Sequence, residues 1–376
     1  MTQKSEYYFI AELKEQPGAV AETVGTQWER IVGITKELPH DLSRVLMVGC
    51  GDPYFASEAA VYPFERWTRI PAEAVDALEF RFWRSDLVDE RTLVILISQS
   101  GKTIQVVESA RLARAQGAAV IGITNSPDSP LAEQSEYLVH TAGGPSYSFP
   151  TRTTTAAAAV LFALALALGA ARGLVPEAVV EERLQLLRED LPLRMKQTLN
   201  LEEQMRTLAH SWRHHNHFAF IGSGPGYAAA RVGAAKINET NRMQSEADEL
   251  EEYGHLHLFA LQQETPLVFL APSARTAARV EAMVDFAAGR GTPVAVFGAP
   301  ETQERWQRPG VHGYEMPDVD EIVSPLVYVI PLQLFAYHLA LVHGRDPDRP
   351  EGFDNAAIQK MIYTGLLEGW HEEEVP

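Results

Sequence analysis

The sequence has a single cysteine, Cys50, and few basic residues for its length. One cysteine can form neither an internal disulfide nor a cysteine-based zinc site, which is typical of proteins from a reducing compartment. Only 32 Lys and Arg stand against 50 Asp and Glu, so the formal net charge is -18 at pH 7. Nucleic acids and anionic membranes are bound by positive surfaces, which this composition does not supply. We therefore expect an acidic, cytoplasmic protein that binds neither nucleic acid nor membrane.

Two segments bear on targeting. The N-terminal stretch has no apolar core of signal-peptide length, so we expect no signal peptide. The uncharged run at residues 156–171 is Ala-rich and 16 residues long, whereas a membrane helix needs about 20 residues. This run therefore predicts a helix buried inside the fold.

Short apolar runs alternate with helix-like stretches along the chain. The strand-like runs are Val45–Gly49, Thr92–Ile97, Ala118–Thr124, Phe218–Ile221, Pro266–Leu270 and Pro293–Phe297. Continuous β-branched runs separated by helices are typical of a parallel sheet covered on both faces. The sequence therefore predicts an α/β protein of the flavodoxin-like, three-layer type.

The pattern repeats at a constant offset. A shift of 173 residues places Gly49 and Gly51 on Gly222 and Gly224, and the same shift places Ser100 on Ser273. One offset that aligns two separate strand-to-helix junctions indicates a tandem duplication. We predict these domains: an N-terminal helical arm at 1–38, a first domain at 39–173, a connecting helix at 174–210, a second domain at 211–345 and a tail at 346–376.

The strongest candidate for a binding site follows the apolar run Thr92–Ile97. Polar side chains and a glycine surround the predicted start of a helix, at the end of a strand where parallel sheets bind ligands. Such a loop suits a phosphate monoester; the alternative is an ordinary Ser/Thr helix cap. The predicted phosphate-binding residues are Ser98, Gln99, Ser100, Gly101 and Thr103.

Two sequence patterns match nucleotide-binding motifs only in part. Gly101-Lys102-Thr103 resembles the end of a P-loop, but Leu96 stands where that motif needs glycine. Gly49 and Gly51 resemble the start of a dinucleotide fingerprint whose third glycine is absent. Neither pattern supports nucleotide binding.

The second copy carries different chemistry. Its matching loop, residues 271–276, has lost the first copy's Ser98, Gln99 and Gly101, so phosphate binding should reside in the first copy. Lys236 and Glu239 are three residues apart and share one face of a predicted helix.

An acidic run and several histidines complete the second copy. We interpret Glu249 and Glu251 as part of a solvated acidic helix. The four histidines between residues 210 and 217 lack a metalloprotease pattern, and we interpret them as a polar helix end. We expect neither a metal site nor a cofactor.

These residues resemble the sugar isomerase (SIS) domain family in its double-domain form. The resemblance covers nearly the whole chain and is closest to the isomerase half of glutamine–fructose-6-phosphate aminotransferases, without their glutaminase domain. The motifs that carry it are EYYFIAELKEQPGAV, ISQSGKTIQVVESARLARAQGA, AAKINE, EEYGH and IPLQLFAYHLALVHGRDPDRP.

The resemblance implies roles for individual residues. It assigns the sugar 6-phosphate to the Ser98–Thr103 loop, and it assigns proton transfer between C1 and C2 to Glu239, beside Lys236. His255 matches a histidine that assists ring opening from the partner subunit, which implies a homodimer. Other residues implied to bind substrate are Gly51, Asp52, Glu252 and Asn355.

Departures from the family pattern shape the expected function. Asp52 and Pro53 replace two family hydroxyl residues, and Asn355 stands where the family lysine forms an imine with the ketose. We therefore expect an amino-sugar or ketosamine 6-phosphate as substrate, as for a glucosamine-6-phosphate deaminase or isomerase. One alternative is a fructosamine-6-phosphate deglycase, because family deglycases also lack that lysine. The other is a non-catalytic phosphosugar sensor.

Overall fold

A computed structural model describes residues 7–349. Within that range the chain divides into two compact units. One comprises residues 22–144 and 156–184, and the other comprises residues 7–21, 145–155 and 185–349. Each unit contains one five-stranded sheet.

The sheet of the first copy is parallel throughout, in the order β2-β1-β3-β4-β5. Its strands are β1 (Arg44–Gly49), β2 (Ala72–Asp76), β3 (Thr92–Ile97), β4 (Ala119–Thr124) and β5 (Tyr137–His140). Every residue of β3 and β4 is buried, which explains their uninterrupted apolar sequences. The edge strands β2 and β5 are only half-buried, and their mixed sequences did not predict them.

The sheet of the second copy has the same topology. Its strands are β6 (His217–Gly222), β7 (Gln244–Glu249), β8 (Leu267–Ala271), β9 (Val294–Gly298) and β10 (Val311–Glu315). They pair in parallel in the order β7-β6-β8-β9-β10. Strand for strand, this order matches that of the first sheet, which confirms the predicted fold class of two α/β domains in tandem.

Helices cover the strands and connect them. The α-helices are α1 (Tyr8–Lys14), α2 (Gln16–Glu37), α3 (Asp52–Thr68), α4 (Ala77–Glu79), α5 (Ile104–Ala115), α6 (Pro130–Gln134), α7 (Arg152–Ala171), α8 (Glu177–Gln185), α9 (Leu191–Thr198), α10 (Glu202–Ser211), α11 (Pro225–Asn241), α12 (Leu250–His255), α13 (Ala277–Gly289) and α14 (Pro325–Val342). A π-helical turn at Leu186–Asp190 separates α8 from α9. Pro192, in the first turn of α9, has no N–H to continue a regular helix.

The duplication is visible in the backbone. The offset of 173 places β1 on β6 and α3 on α11 without any gap. Both helices follow a glycine with positive φ, Gly51 at 61° and Gly224 at 53°. Both end at an arginine in the left-handed conformation, Arg69 and Arg242, the two non-glycine residues with positive φ among those described. Two sequences that keep the same unusual backbone at both ends of a helix share one structural unit.

Within residues 7–349, two helices are long and apolar enough to cross a membrane by length and composition, α7 and α14. Within the fold, 83% of the apolar window of α7 and 89% of that of α14 are buried. Burial inside the protein accounts for their apolar sequences, as we expected for α7. The apolar helix at α14 was not predicted from its sequence.

The first turn of α1 is capped from the far end of the chain. The backbone N–H groups of Tyr8 and Phe9 donate to the Asp348 carboxylate at 2.9 and 2.7 Å. Asp348 is 5% exposed. A buried carboxylate at a helix start stabilises N–H groups that have no partner within the helix, and it complements the helix dipole.

We expect Asp348→Ala to lower the free energy of unfolding by about 1–2 kcal/mol, because it removes both capping bonds. The matched control is Asp41→Ala, whose carboxylate is exposed and lies 3.6 Å from Arg91; its cost should be below about 0.5 kcal/mol. Urea denaturation of the two variants and the wild type measures both values. Equal stability of the two variants would contradict a capping role.

Candidate functional site

The predicted phosphate loop lies where a parallel sheet presents its strand ends. Residues 98–103 connect β3, the central strand, to α5. Ser98 is buried, and its N–H donates to the Ile123 carbonyl at 3.1 Å, which extends the pairing of β3 with β4. The loop therefore begins from a fixed position at the carboxyl end of the sheet.

The hydroxyls of the loop face one another rather than cap the helix. Ser98 Oγ lies 3.0 Å from Thr103 Oγ1, and the Lys102 N–H donates to Ser100 Oγ at 3.2 Å. Thr103 occupies the N-cap position of α5, but its side chain makes no capping hydrogen bond. Thr103 therefore does not act as the Ser/Thr helix cap that was the alternative interpretation of this loop. N–H groups at such a helix start are suited to an oxyanion.

The next loop along the sheet holds the phosphate loop in shape. The Gln99 carbonyl accepts from the Asn125 N–H at 3.0 Å and from Thr124 Oγ1 at 3.1 Å. Gly101 has φ of 63°, and a Cβ at this position would overlap the Ser129 side chain. Residues 124, 125 and 129 were missed by sequence reasoning; their position just after β4, beside β3, was the available indication.

The junction between β1 and α3 is largely buried. Gly51 precedes α3, and Asp52 is buried in its first turn. Burial, with the nearby Asp76 charge, raises the pKa of the Cys50 thiol to about 11. Cys50 is therefore a protonated thiol at neutral pH, which does not act as a nucleophile.

In the second copy, the structure brings Lys236 and Glu239 together on α11. The ammonium Nζ lies 2.7 Å from Glu239 Oε2. The Lys236 side chain is fully buried, whereas the Glu239 side chain is 27% exposed. A buried ammonium is costly without a negative partner, so this pairing holds the carboxylate in place. The pair combines a fixed charge with a carboxylate that a ligand can reach.

His255 lies at the end of α12, on the surface. Its side chain is 76% exposed, and its Nε2 lies 3.7 Å from Glu251 Oε2. Glu251 is also paired with Arg279 at 2.5 Å. Within this chain, the His255 ring is therefore near the carboxylate of Glu251 rather than that of Glu239.

The acidic run around α12 corrects one expectation. Glu249 is not on a solvated helix: it ends strand β7, and its Oε2 caps α12 by accepting the N–H groups of Glu251 and Glu252. Glu252 lies exposed in the first turn of α12. Asn355, the remaining predicted binding residue, lies outside the described residues.

One group of side chains has the composition of a metal site. Ligand-type atoms of Glu246, Asp248 and His257 lie within 4.8 Å of one another. His257 Nδ1 lies 2.5 Å from Asp248 Oδ2, so these two side chains are in direct contact. None of the predicted site residues belongs to this group.

The sequence matches the SIS domain family over residues 40–167 and 212–343. The chain belongs to the SIS domain family. These two segments contain both sheets, so each copy of the duplication is one SIS domain.

Curated relatives agree with this assignment. The chain is 31% identical to the glutamine–fructose-6-phosphate aminotransferase [isomerizing] of Thermococcus kodakarensis, over 93% of this chain and 58% of that protein. It is 32% identical to the enzyme of the same name from Mycolicibacterium smegmatis, over 92% of this chain and 56% of that protein. The chain thus spans little more than half the length of the curated relatives that it matches.

Solved structures show the same fold. The C-terminal domain of the glucosamine-fructose-6-phosphate aminotransferase of Francisella tularensis has a TM-score of 0.87 at 25% identity, covering 93% of this chain and all of that domain. The glucosamine-6-phosphate deaminase of Thermotoga maritima has a TM-score of 0.71 at 21% identity, covering 92% of this chain and 98% of that enzyme. The likeness to the deaminase shows the fold alone.

Substitution of Gly101 tests the loop geometry. We expect Gly101→Ala to weaken phosphate binding at least tenfold, because a Cβ here adds a clash with Ser129 to the strain of a positive φ. The matched control is Gly117→Ala, with φ of 84° and open space around its Cβ. Backbone strain should cost each variant about 1 kcal/mol of stability, and the clash with Ser129 should add to the loss at Gly101. Calorimetric titration with inorganic phosphate separates them, and equal affinities would contradict the assigned loop.

Proposed function

We propose that this protein is an enzyme that transfers a proton between C1 and C2 of an amino-sugar or ketosamine 6-phosphate. The curated relatives carry names of sugar-phosphate enzymes, which supports a sugar phosphate as the ligand class. The proposal assigns phosphate binding to the first SIS domain and proton transfer to the second.

The phosphate is held by neutral donors in this proposal. The hydroxyls of Ser98, Ser100 and Thr103 and the N–H groups at the start of α5 surround one strand end. Hydroxyls and amides donate strongly to phosphate oxygens without needing a positive surface, and the helix dipole adds to their effect. Gln99 supplies a further amide in the same loop.

The Lys236–Glu239 pair is the observation that carries the catalytic proposal. A proton shuttle must be a carboxylate that the substrate can reach and that does not move away. Glu239 is partly exposed, and its carboxylate is fixed by a buried ammonium at 2.7 Å. A protein that only sensed the sugar would have no need for this arrangement, which favours an enzyme over a sensor.

The chemistry balances for either candidate substrate. With open-chain glucosamine 6-phosphate, Glu239 takes the C2 proton and returns it to C1, and one amine proton passes to the C1 oxygen, which leaves a hydroxyl at C1 and an imine at C2. Water then adds to the imine and releases ammonia and fructose 6-phosphate. With a fructosamine 6-phosphate, the proton moves from C1 to C2 and the amine proton passes to the C2 oxygen. Water then adds to the imine at C1 and releases the amine and glucose 6-phosphate. Asn355, in place of the family lysine, favours substrates that already carry nitrogen.

We further propose that the protein is a homodimer in which His255 serves the neighbouring subunit. The ring is 76% exposed. The residues that follow it, Leu256 and Phe259, are 60% and 90% exposed. An exposed histidine beside exposed apolar side chains suits a loop that contacts a second copy.

Measurement of turnover of the two candidate substrates distinguishes the candidate functions. We expect release of ammonia from glucosamine 6-phosphate, or of free amine from fructosamine 6-phosphate, and Glu239→Gln should lower kcat at least about 100-fold with little change in substrate affinity. The matched control is Glu264→Gln, an exposed glutamate of the same unit, which should keep full activity. Binding of both substrates without turnover would establish the sensor instead, and an active Glu239→Gln would remove Glu239 from this role.

Mixed subunits test the role of His255. Glu239→Gln and His255→Ala chains are each expected to be inactive, but co-expression should restore about a quarter of wild-type activity, since half of the dimers then hold one intact site. The control replaces the His255→Ala chain with the double variant, which can form no intact site. Activity that stays at the control level would show that His255 does not act across subunits.

A further inference from the structure

The second SIS domain keeps a loop that corresponds to the phosphate loop. The offset of 173 places Ser100, Lys102 and Thr103 on Ser273, Arg275 and Thr276. Both loops follow the central strand of their sheet, β3 in one and β8 in the other. Both precede a helix of at least twelve residues, α5 and α13. The two loops thus occupy equivalent places in two copies of one fold.

One hydrogen bond of the loop is also retained. In the first copy the Lys102 N–H donates to Ser100 Oγ at 3.2 Å. In the second the Arg275 N–H donates to Ser273 Oγ, also at 3.2 Å. The backbone between these partners differs, because the first copy has a glycine with φ of 63° there and the second has an alanine outside the positive-φ region. The serine-centred hydrogen bond is therefore kept although the turn itself has changed.

The second loop differs from the first in the group that its side-chain donors bind. Ser273 Oγ donates to Glu321 Oε1 at 2.8 Å, and Arg275 Nε donates to Glu321 Oε2 at 3.2 Å. Both carboxylate oxygens are therefore engaged by the loop. Glu321 lies 48 residues from Ser273, in a short 3₁₀ turn just before α14. Its side chain is only 22% exposed.

We propose that the second loop is an oxyanion site that the chain fills with its own Glu321 carboxylate. A carboxylate and a phosphate present the same kind of charged acceptor oxygens, and a serine hydroxyl with an arginine N–H binds either. Closure by Glu321 excludes phosphate from the second domain. It leaves the first loop as the place for the sugar phosphate, and it ties the start of α13 to the turn before α14.

An external anion would have to displace Glu321 from the loop in the native protein. Glu321 is attached to the chain and is therefore held at high effective concentration beside the loop. The internal carboxylate therefore competes successfully for the loop.

Removal of Glu321 tests the proposal without reference to enzyme activity. The probe is inorganic phosphate, followed by backbone amide chemical shifts of residues 273–277. The native protein should show no phosphate-dependent shift there, whereas Glu321→Ala should show saturable shifts with at least tenfold higher apparent affinity. Addition of Arg275→Ala to that variant should abolish the gain.

The matched control is Glu315→Ala, which removes an exposed carboxylate at the end of β10. If it produced the same shifts, a general change of charge would explain them and the closure would be refuted. Phosphate-dependent shifts in the native second loop would also overturn the proposal.

If Glu321→Ala fails to fold, the near-isosteric Glu321→Gln serves in its place. The absence of new shifts in a folded variant would show that the loop is not an oxyanion site. Shifts at residues 98–104 report on the first loop separately.

Discussion

Parallel pairing of fully buried central strands is the constraint on which the candidate sites depend. Because β1, β3 and β4 run in the same direction, their carboxyl ends meet at one edge of the sheet, and the loops after them must lie side by side. This places the Gly51 junction, the Ser98–Thr103 loop and residues 124–129 together without any sequence proximity. The second sheet repeats the constraint and therefore repeats the loops.

Within this shared framework the two domains have diverged in chemistry. The first keeps loop hydroxyls that face each other and a helix start that Thr103 does not cap. The second fills the matching loop with Glu321. Conversely, Lys236 and Glu239 of α11 correspond by the offset to Pro63 and Arg66 of α3, which can form no ammonium–carboxylate pair. Under the proposed function, divergence after duplication leaves the phosphate loop in one domain and the proton-transfer pair in the other.

The central strands and the polar loop were predictable because burial on both faces leaves a continuous apolar run that ends abruptly. The edge strands were not. Gln244–Glu249 contains three carboxylates and resembles a solvated helix, yet it is strand β7 because it pairs with β6 in register, His217 opposite Gln244. The contacts of Asp348 with α1 and of Glu321 with Ser273 span 339 and 48 residues. Such contacts arise from tertiary packing and have no local pattern to reveal them.

The net charge of -18 would seem to oppose binding of a sugar phosphate, but the two effects act over different ranges. Surface charges more than about 8 Å away are largely screened at physiological ionic strength. Hydroxyls and helix N–H groups act at contact distance and lose little to screening. In the first domain, loop hydroxyls and the helix start of α5 lie together at one strand end. Local donors of this kind bind an anion at contact distance and need no basic surface.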